Sequence, residues 1–242
     1  MRASARVIAA ARALSAIALL LAPACALPAA EAAADGGFTP GRWEIFFDDF
    51  SHTDVGAFPS NWTLKGPGAG GNPLAAVERG GARFLLSQTP AEGEQQTPST
   101  LYARLPKDYN LPVGFTIEFD AVFGYSRLAN DLQAEKQYDI LVGSAAASYS
   151  LLAVTSQRAF SRNGQANLDL SVGNVHHIAV AVEGRSVRAY VDGRRVIDDP
   201  DGAERPIGRV GLQLSSYKGV RQEDLMFTNF RIAEADRPQS AR

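Results

Sequence analysis

Beyond residue 40, hydrophobic and polar positions alternate along most of the chain with a period of two. The clearest run is His176 to Asp198, HHIAVAVEGRSVRAYVDGRRVID. Ile178, Val180 and Val182 alternate there with His177, Ala179, Ala181 and Glu183, as a strand with one buried face requires. Gly184-Arg185 interrupts the pattern, and Val187, Ala189 and Val191 resume it. Asp192 and Gly193 both tolerate positive φ, so they predict a tight turn, with Val196 on the return strand. The stretch reads as a three-strand antiparallel meander. Gly114 to Phe123 is the strongest single strand. Phe115, Ile117, Phe119, Ala121 and Phe123 share one face; Thr116, Glu118, Asp120 and Val122 share the other.

The same pattern predicts strands at Trp43 to Phe47, Trp62 to Leu64, Ala82 to Ser87 and Leu101 to Leu105. Others follow at Tyr138 to Val142, Tyr149 to Val154, Arg209 to Leu214 and Met226 to Ile232, with a weaker pair near Ala159 and at Asn167 to Leu170. Ser126 to Lys136 is the one polar stretch with helical propensity, and predicts a turn or two of helix. Many short strands with almost no helix imply an antiparallel sandwich or barrel. The length suits a jelly roll of two stacked sheets. Val180, Val191, Ile117, Phe119 and Leu212 are expected in its core.

The first residues follow a different pattern. Arg2, Arg6 and Arg12 precede an apolar run, Ala13 to Ala22, and then small residues. That is the form of a secretory signal peptide, and the run is about half of the ~20 residues a membrane span needs. Cleavage after Ala24, Ala32 or Ala34 fits, with Ala32 favoured. The expected organisation is a signal peptide over 1–32, a linker over 33–40, a jelly-roll domain over 41–234 and a polar tail over 235–242. The protein is therefore expected to be exported, whether periplasmic, outer-membrane-associated or secreted. Cys25, the one cysteine, sits after LAPA and is a candidate lipidation site. No disulfide or thiolate metal site is available to the mature body. The whole chain carries a formal net charge of −2; without residues 1–34, which hold three Arg and one Glu, it carries −4. That balance disfavours nucleic acid as a partner.

The meander, followed by RVGLQL and MFTNFRIAE, resembles the laminin-G-like branch of the concanavalin A-like jelly rolls. PGRWEIFFDDFSHTDVGAFPSNWTLKG, with FTIEFDAV, resembles the jelly-roll domain that precedes the peptidoglycan-binding domain of some OmpA-type envelope proteins. The resemblance implies an all-β, antiparallel two-sheet sandwich and a place in the bacterial cell envelope. The terminal GLQ and FTNFRI strands are also similar to those of the 3-keto-disaccharide hydrolases, but ILVGSAAASYSLL stands where that family has Asn-Ser-Gly.

Candidate chemistry is sparse. Glu118-Phe119-Asp120 resembles the start of the E-x-D-x-(x)-E motif of family 16 glycoside hydrolases. The acid/base Glu of that motif is replaced by Val122 or Phe123. A retaining glycosidase needs two carboxyl groups ~5–5.5 Å apart, so Glu118 and Asp120 stand as weak catalytic candidates. GPGAGG at 66–71 matches a dinucleotide fingerprint in letters, but Asn72-Pro73 and a β pattern follow in place of a helix, which excludes it. His176 and His177 are strand neighbours facing opposite ways and cannot share one ion. Asp48, Asp49 and Asn229 are candidate ligands of a structural calcium, since carboxylate and amide oxygens suit Ca²⁺; no other cofactor is expected. Trp62, Tyr125, Tyr149 and Tyr217, in or near loops, are candidates for stacking on a glycan. The reading that follows is an exported non-catalytic module that binds a glycan or an envelope protein. The alternative is a glycoside or 3-keto-glycoside hydrolase on the same fold.

Overall fold

The computed structural model describes residues 37–65, 74–87, 98–127, 133–144, 146–215, 221–222 and 225–235. The expected signal peptide, Cys25, the glycine-rich segment 66–73, Tyr217 and residues 236–242 of the expected polar tail lie outside the described residues, as does the Tyr125 side chain. The elements are β1 (Trp43–Asp48), β2 (Trp62–Lys65), β3 (Leu74–Arg79), β4 (Ala82–Ser87), β5 (Ser99–Ala103) and β6 (Gly114–Val122). Then come β7 (Tyr125–Arg127), β8 (Gln133–Glu135), β9 (Gln137–Gly143), β10 (Ser148–Val154), β11 (Arg158–Phe160) and β12 (Gln165–Asn167). The last are β13 (Val175–Glu183), β14 (Ser186–Val191), β15 (Arg194–Asp199), β16 (Arg209–Ser215), β17 (Arg221–Gln222) and β18 (Leu225–Glu234).

The meander is β13, β14 and β15. Asp192 (φ 50°) and Gly193 (φ 77°) make its second turn in the left-handed conformation their side chains permit. The first sheet runs β15-β14-β13-β6-β18-β4-β3, and the second runs β12-β11-β10-β9-β16-β5-β2; every pairing is antiparallel. Strand β1 also joins the first sheet through β18. Since β6 occupies one side of β18 throughout, β1 and β4 share the other, β4 along Leu225–Phe227 and β1 from Phe230 onward.

The alternation predicted from sequence decides what each sheet buries. Ile117, Phe119, Ile178, Val180, Phe227, Phe230 and Ile232 of the first sheet meet Leu101, Tyr138, Ile140, Leu152, Leu212 and Leu214 of the second in one core. Val191, expected in the core, is there too. This is the jelly-roll sandwich. Tyr138 crosses between the layers: from β9 its hydroxyl reaches the Val122 and Met226 carbonyls of the facing sheet, 2.8 Å from each. A buried phenol needs such an acceptor, and burial pushes its pKa well up.

Phe227 and Phe230 are three residues apart, yet both face inward. The pairing of β18 with β6 shifts between Thr228 and Arg231, and Asn229 there takes φ 52°. This bulge absorbs one residue, so Phe230 and Ile232 return to the core and Arg231 turns outward.

Three expectations need correction. Ser126 to Lys136 does not hold a helix in its described parts; its ends are β7 and β8, which pair with each other, and β17 adds to β7. Cross-strand partners outweigh the weak helical propensity of that stretch. Strand β3 was not foreseen; Gly80 and Gly81, both at positive φ, close a two-residue hairpin between Arg79 and Ala82. Trp62 is no loop aromatic: it is 1% exposed. Phe46, Phe50, Phe227 and Phe230 surround its indole, and its Nε1 donates to Asp48 Oδ2 at 2.9 Å.

Candidate functional site

The sandwich presents two outer faces, and their chemistry differs. On the first sheet, Glu118 and Asp120 do project from one face of β6, as their spacing predicts. The neighbouring strands set cations against both. His177, from β13, lies 2.9 Å from Asp120 Oδ1 through Nδ1 and 3.5 Å from Glu118 Oε2 through Nε2. Arg231, turned outward by the bulge in β18, donates from Nη1 to Glu118 Oε1 at 2.6 Å. Asn229 donates to Asp120 Oδ2 at 2.7 Å.

Hydrogen bonds that His177 donates to Asp120 and then to Glu118 raise its pKa from 6.5 to about 9, against its partial burial. Burial alone would raise both carboxyls; bonds from His177 and Arg231 on Glu118, and from His177 and Asn229 on Asp120, outweigh it and hold both low. The four charged groups, with Asn229 as a neutral member, form a compensated ionic network. The N-terminal segment lies over it: Phe38 packs on His177 and Tyr190, Gly41 N donates to Thr116 Oγ1 at 3.0 Å, and Arg231 Nη2 donates to the Gly41 carbonyl at 2.8 Å. A pocket of about 910 Å³ opens between this segment and the ends of β6, β13 and β14, lined in part by Pro40, Val113, Ala181 and Tyr190.

The outer face of the second sheet carries polar groups of another kind. Asp139 projects from β9 and is buried. No cation accompanies it among the described residues; its partners are neutral. Gln137 Nε2 donates to Oδ2 and Oδ1 at 2.9 and 3.0 Å, and Ser150 Oγ donates to Oδ1 at 3.1 Å. Burial pushes the Asp139 carboxyl up, and bonds from Gln137, Ser150 and Gln213 offset this only in part. Gln213, directly across the ladder on β16, accepts from Thr100 Oγ1 at 3.1 Å. One carboxylate thus fixes a row of amides and hydroxyls across β10, β9, β16 and β5.

Beside that row, Tyr102 lies on Gly211. A Cβ at Gly211 would strike the Leu101 carbonyl oxygen and stand 2.6 Å from the ring, so only glycine leaves room for both. The Tyr102 hydroxyl meets Ser148 Oγ at 2.7 Å, and the Arg209 guanidinium covers the ring at 4.7 Å. An adjoining hollow of about 450 Å³ is lined by Thr63, Tyr102, Arg104, Leu105 and Arg209, among others.

Other sequence candidates are engaged elsewhere. Asp48 accepts from Phe50 N at 2.8 Å as well as from Trp62, and Asp49 accepts from Ser51 N at 2.9 Å. The Asn229 amide is spent on Asp120. Among the described residues no group of three or more His, Cys, Asp or Glu converges as a metal set. His176 and His177 part as expected, His176 toward Asp192 and Ser171, His177 toward Asp120. The Tyr149 hydroxyl donates to the Glu204 carbonyl at 3.0 Å and so anchors a loop. The residues that sequence reasoning passed over are Gln137, Asp139, Thr100, Tyr102, Arg104, Arg209 and Gln213. Their signal was present: each falls on the outward phase of an alternating strand or directly follows one.

No protein-family model matches this chain, and no curated protein matches it by sequence. Solved structures match it in fold. A Bacteroides ovatus mixed-linkage glucan family 16 glycoside hydrolase, in complex with product, aligns with TM-score 0.55 at 10% identity, over 77% of this chain and 99% of that one. The Bacillus licheniformis β-glucanase aligns with TM-score 0.52 at 12% identity, over 79% and 98%. The carbohydrate-binding module CBM66 of Bacillus subtilis gives 0.45 at 16% identity, over 72% and 96%. At such identities the first two fix the architecture alone, and the chain is an all-β concanavalin A-like jelly roll.

Proposed function

We propose that this protein is an exported, non-catalytic module of the bacterial cell envelope that binds a glycan across the outer face of its second sheet. The observation that carries the reading is the row of amides and hydroxyls held in place by Asp139. Sugar hydroxyls both donate and accept, and they are recognised by planar polar groups already oriented before the ligand arrives. Gln137, Gln213, Thr100 and Ser150 have that property. The fold likeness to glucan-acting enzymes supports the ligand class.

Two features support binding over catalysis. Glu118 and Asp120 are held ionised by His177, Arg231 and Asn229, whereas a general acid must carry its proton near the working pH. On the second face, Asp139 is the one carboxylate among the described strand residues, and a glycosidase needs two. The charged and then apolar start of the chain supports export. The resemblance to OmpA-type and laminin-G-like jelly rolls supports the envelope.

The test is a screen of the purified protein against envelope and plant glycans, read for both binding and product. Binding without turnover, weakened by Gln213→Ala and Asp139→Asn but untouched by Glu118→Gln, is the expected result. The raised Asp139 carboxyl favours the hydrolase as the second reading. Product formation that disappears in Asp139→Asn would put it in place of the first. N-terminal sequencing of exported material tests the compartment; an intact Met1 there would refute processing.

A further inference from the structure

The hollow at the edge of the polar row has a charge of its own. Arg104 follows β5, and its Nε donates to the Trp62 carbonyl at 3.0 Å. Arg209 opens β16 and is held over the Tyr102 ring. Neither guanidinium meets a carboxylate among the described residues, and no acidic residue lines the hollow. Several arginines elsewhere are paired with carboxylates, and Arg79 and Arg205 are spent on backbone carbonyls. Arg231 has Glu118 and Glu44, Arg188 has Glu183, Arg162 has Glu204 and Arg195 has Asp198. Two unpaired guanidinium groups therefore share one concavity. Each is fixed by a neutral partner that leaves its charge uncompensated. The volume, about 450 Å³, lies within the range of small-ligand sites.

We infer that this hollow takes the carboxylate of an acidic sugar, so that the ligand of the proposed glycan site carries uronic-acid-type residues. A guanidinium presents a planar fork of N–H donors that matches a carboxylate with two parallel bonds. A strand neighbour on the row at Gln213 and Thr100 holds the rest of the sugar. Tyr102 is a positioning residue: resting on Gly211 and tied to Ser148, it sets the plane in which Arg209 lies.

The inference rests on the glycan reading, and the experiment separates the two. The full chain is titrated calorimetrically with a neutral gluco-oligosaccharide, an oligogalacturonate and a sulfated oligosaccharide, at low and high salt. The oligogalacturonate is expected to bind about tenfold or more tightly than the neutral sugar, with the margin shrinking in salt. Arg104→Gln and Arg209→Gln are each expected to remove about tenfold for the acidic sugar and to leave the neutral sugar unchanged. Gln213→Ala should weaken both. Arg209→Lys, which keeps a cation on Tyr102 but loses the fork, should also lose the carboxylate preference, and its urea midpoint reports whether the fold is intact. Neutral binding that needs Gln213 with no preference for the acidic sugar would overturn this inference and leave the glycan reading standing. Equal or tighter binding of the sulfated sugar would overturn the carboxylate assignment. Acidic binding that needs the arginines and ignores Gln213 would support the hollow and refute the row. Absence of binding to all three would refute both.

Discussion

Replacing His177 by Gln tests whether the network on the first sheet stabilises the fold through a proton. The imidazole has a pKa near 6.5 when unfolded and about 9 when folded. At ~1.36 kcal/mol per pH unit, that difference corresponds to roughly 3 kcal/mol at full strength. The ring is 40% exposed, so solvent screens the interaction, and about 1 kcal/mol is the realistic expectation. The sign follows from the direction of the shift. A group whose folded pKa is raised contributes in full below its unfolded pKa, and the contribution is lost as pH rises through the folded one. The native protein should therefore lose about 1 kcal/mol between pH 6 and pH 9.5, and H177Q should lack that slope. Glu118 and Asp120 act in the opposite window, losing their contribution as pH falls below the ordinary carboxylate range. The groups facing His177 are Asp120 and Glu118 from β6, with Asn229 and Arg231 beyond them on β18 and Phe38 from the N-terminal segment. The tyrosines are common to both proteins and cancel in the difference. Urea unfolding at a series of pH values measures it. Parallel profiles for the two proteins would refute the proton-linked role of the ring.

Truncating Phe119, fully buried between Tyr138, Phe227 and Phe230, should cost about 3–5 kcal/mol, read from the urea midpoint at constant m-value. Asn229→Val places a β-branched residue at φ 52° and removes a bond to Asp120; it should cost about 1–2 kcal/mol or more, while Asn229→Gly should lose less. Gly211→Ala pushes a methyl into the Leu101 carbonyl and the Tyr102 ring and should cost about 1–3 kcal/mol, with a change in the near-ultraviolet tyrosine signal.

What the sequence disclosed was whatever a strand settles by itself. The meander from Val175 to Asp199 was legible because alternation names the buried face and Asp192-Gly193 names the turn. Glu118 and Asp120 were correctly placed on one face for the same reason. Their partners were not legible, because His177 is 57 positions from Asp120 and Arg231 is 113 from Glu118. Only the order of strands in the sheet brings them together. Trp62 misled in the same way: its local setting is a loop end, but its indole is claimed by Asp48 and by phenylalanines from both ends of the chain. Asp139 went unnoticed inside QYDILVG, where one carboxylate on the outward phase reads as ordinary solvation. Its neutral company becomes visible only when β10, β9 and β16 lie side by side.

The pairing of β1 with β18 sets an order of events for the living chain. Trp43 finds its register opposite Glu234, so β1 has no partner in its sheet until β18 has been made. Strand β6, at the middle of the first sheet, likewise has β18 as one of its two neighbours. Until the final strand is made, that sheet has a gap at its centre, and the aromatic cluster lacks Phe227 and Phe230. Such long-range closure is slow compared with local pairing. In a nascent chain the first sheet therefore stays divided, β3 with β4 on one side and β6 with the meander on the other, until β18 enters between them.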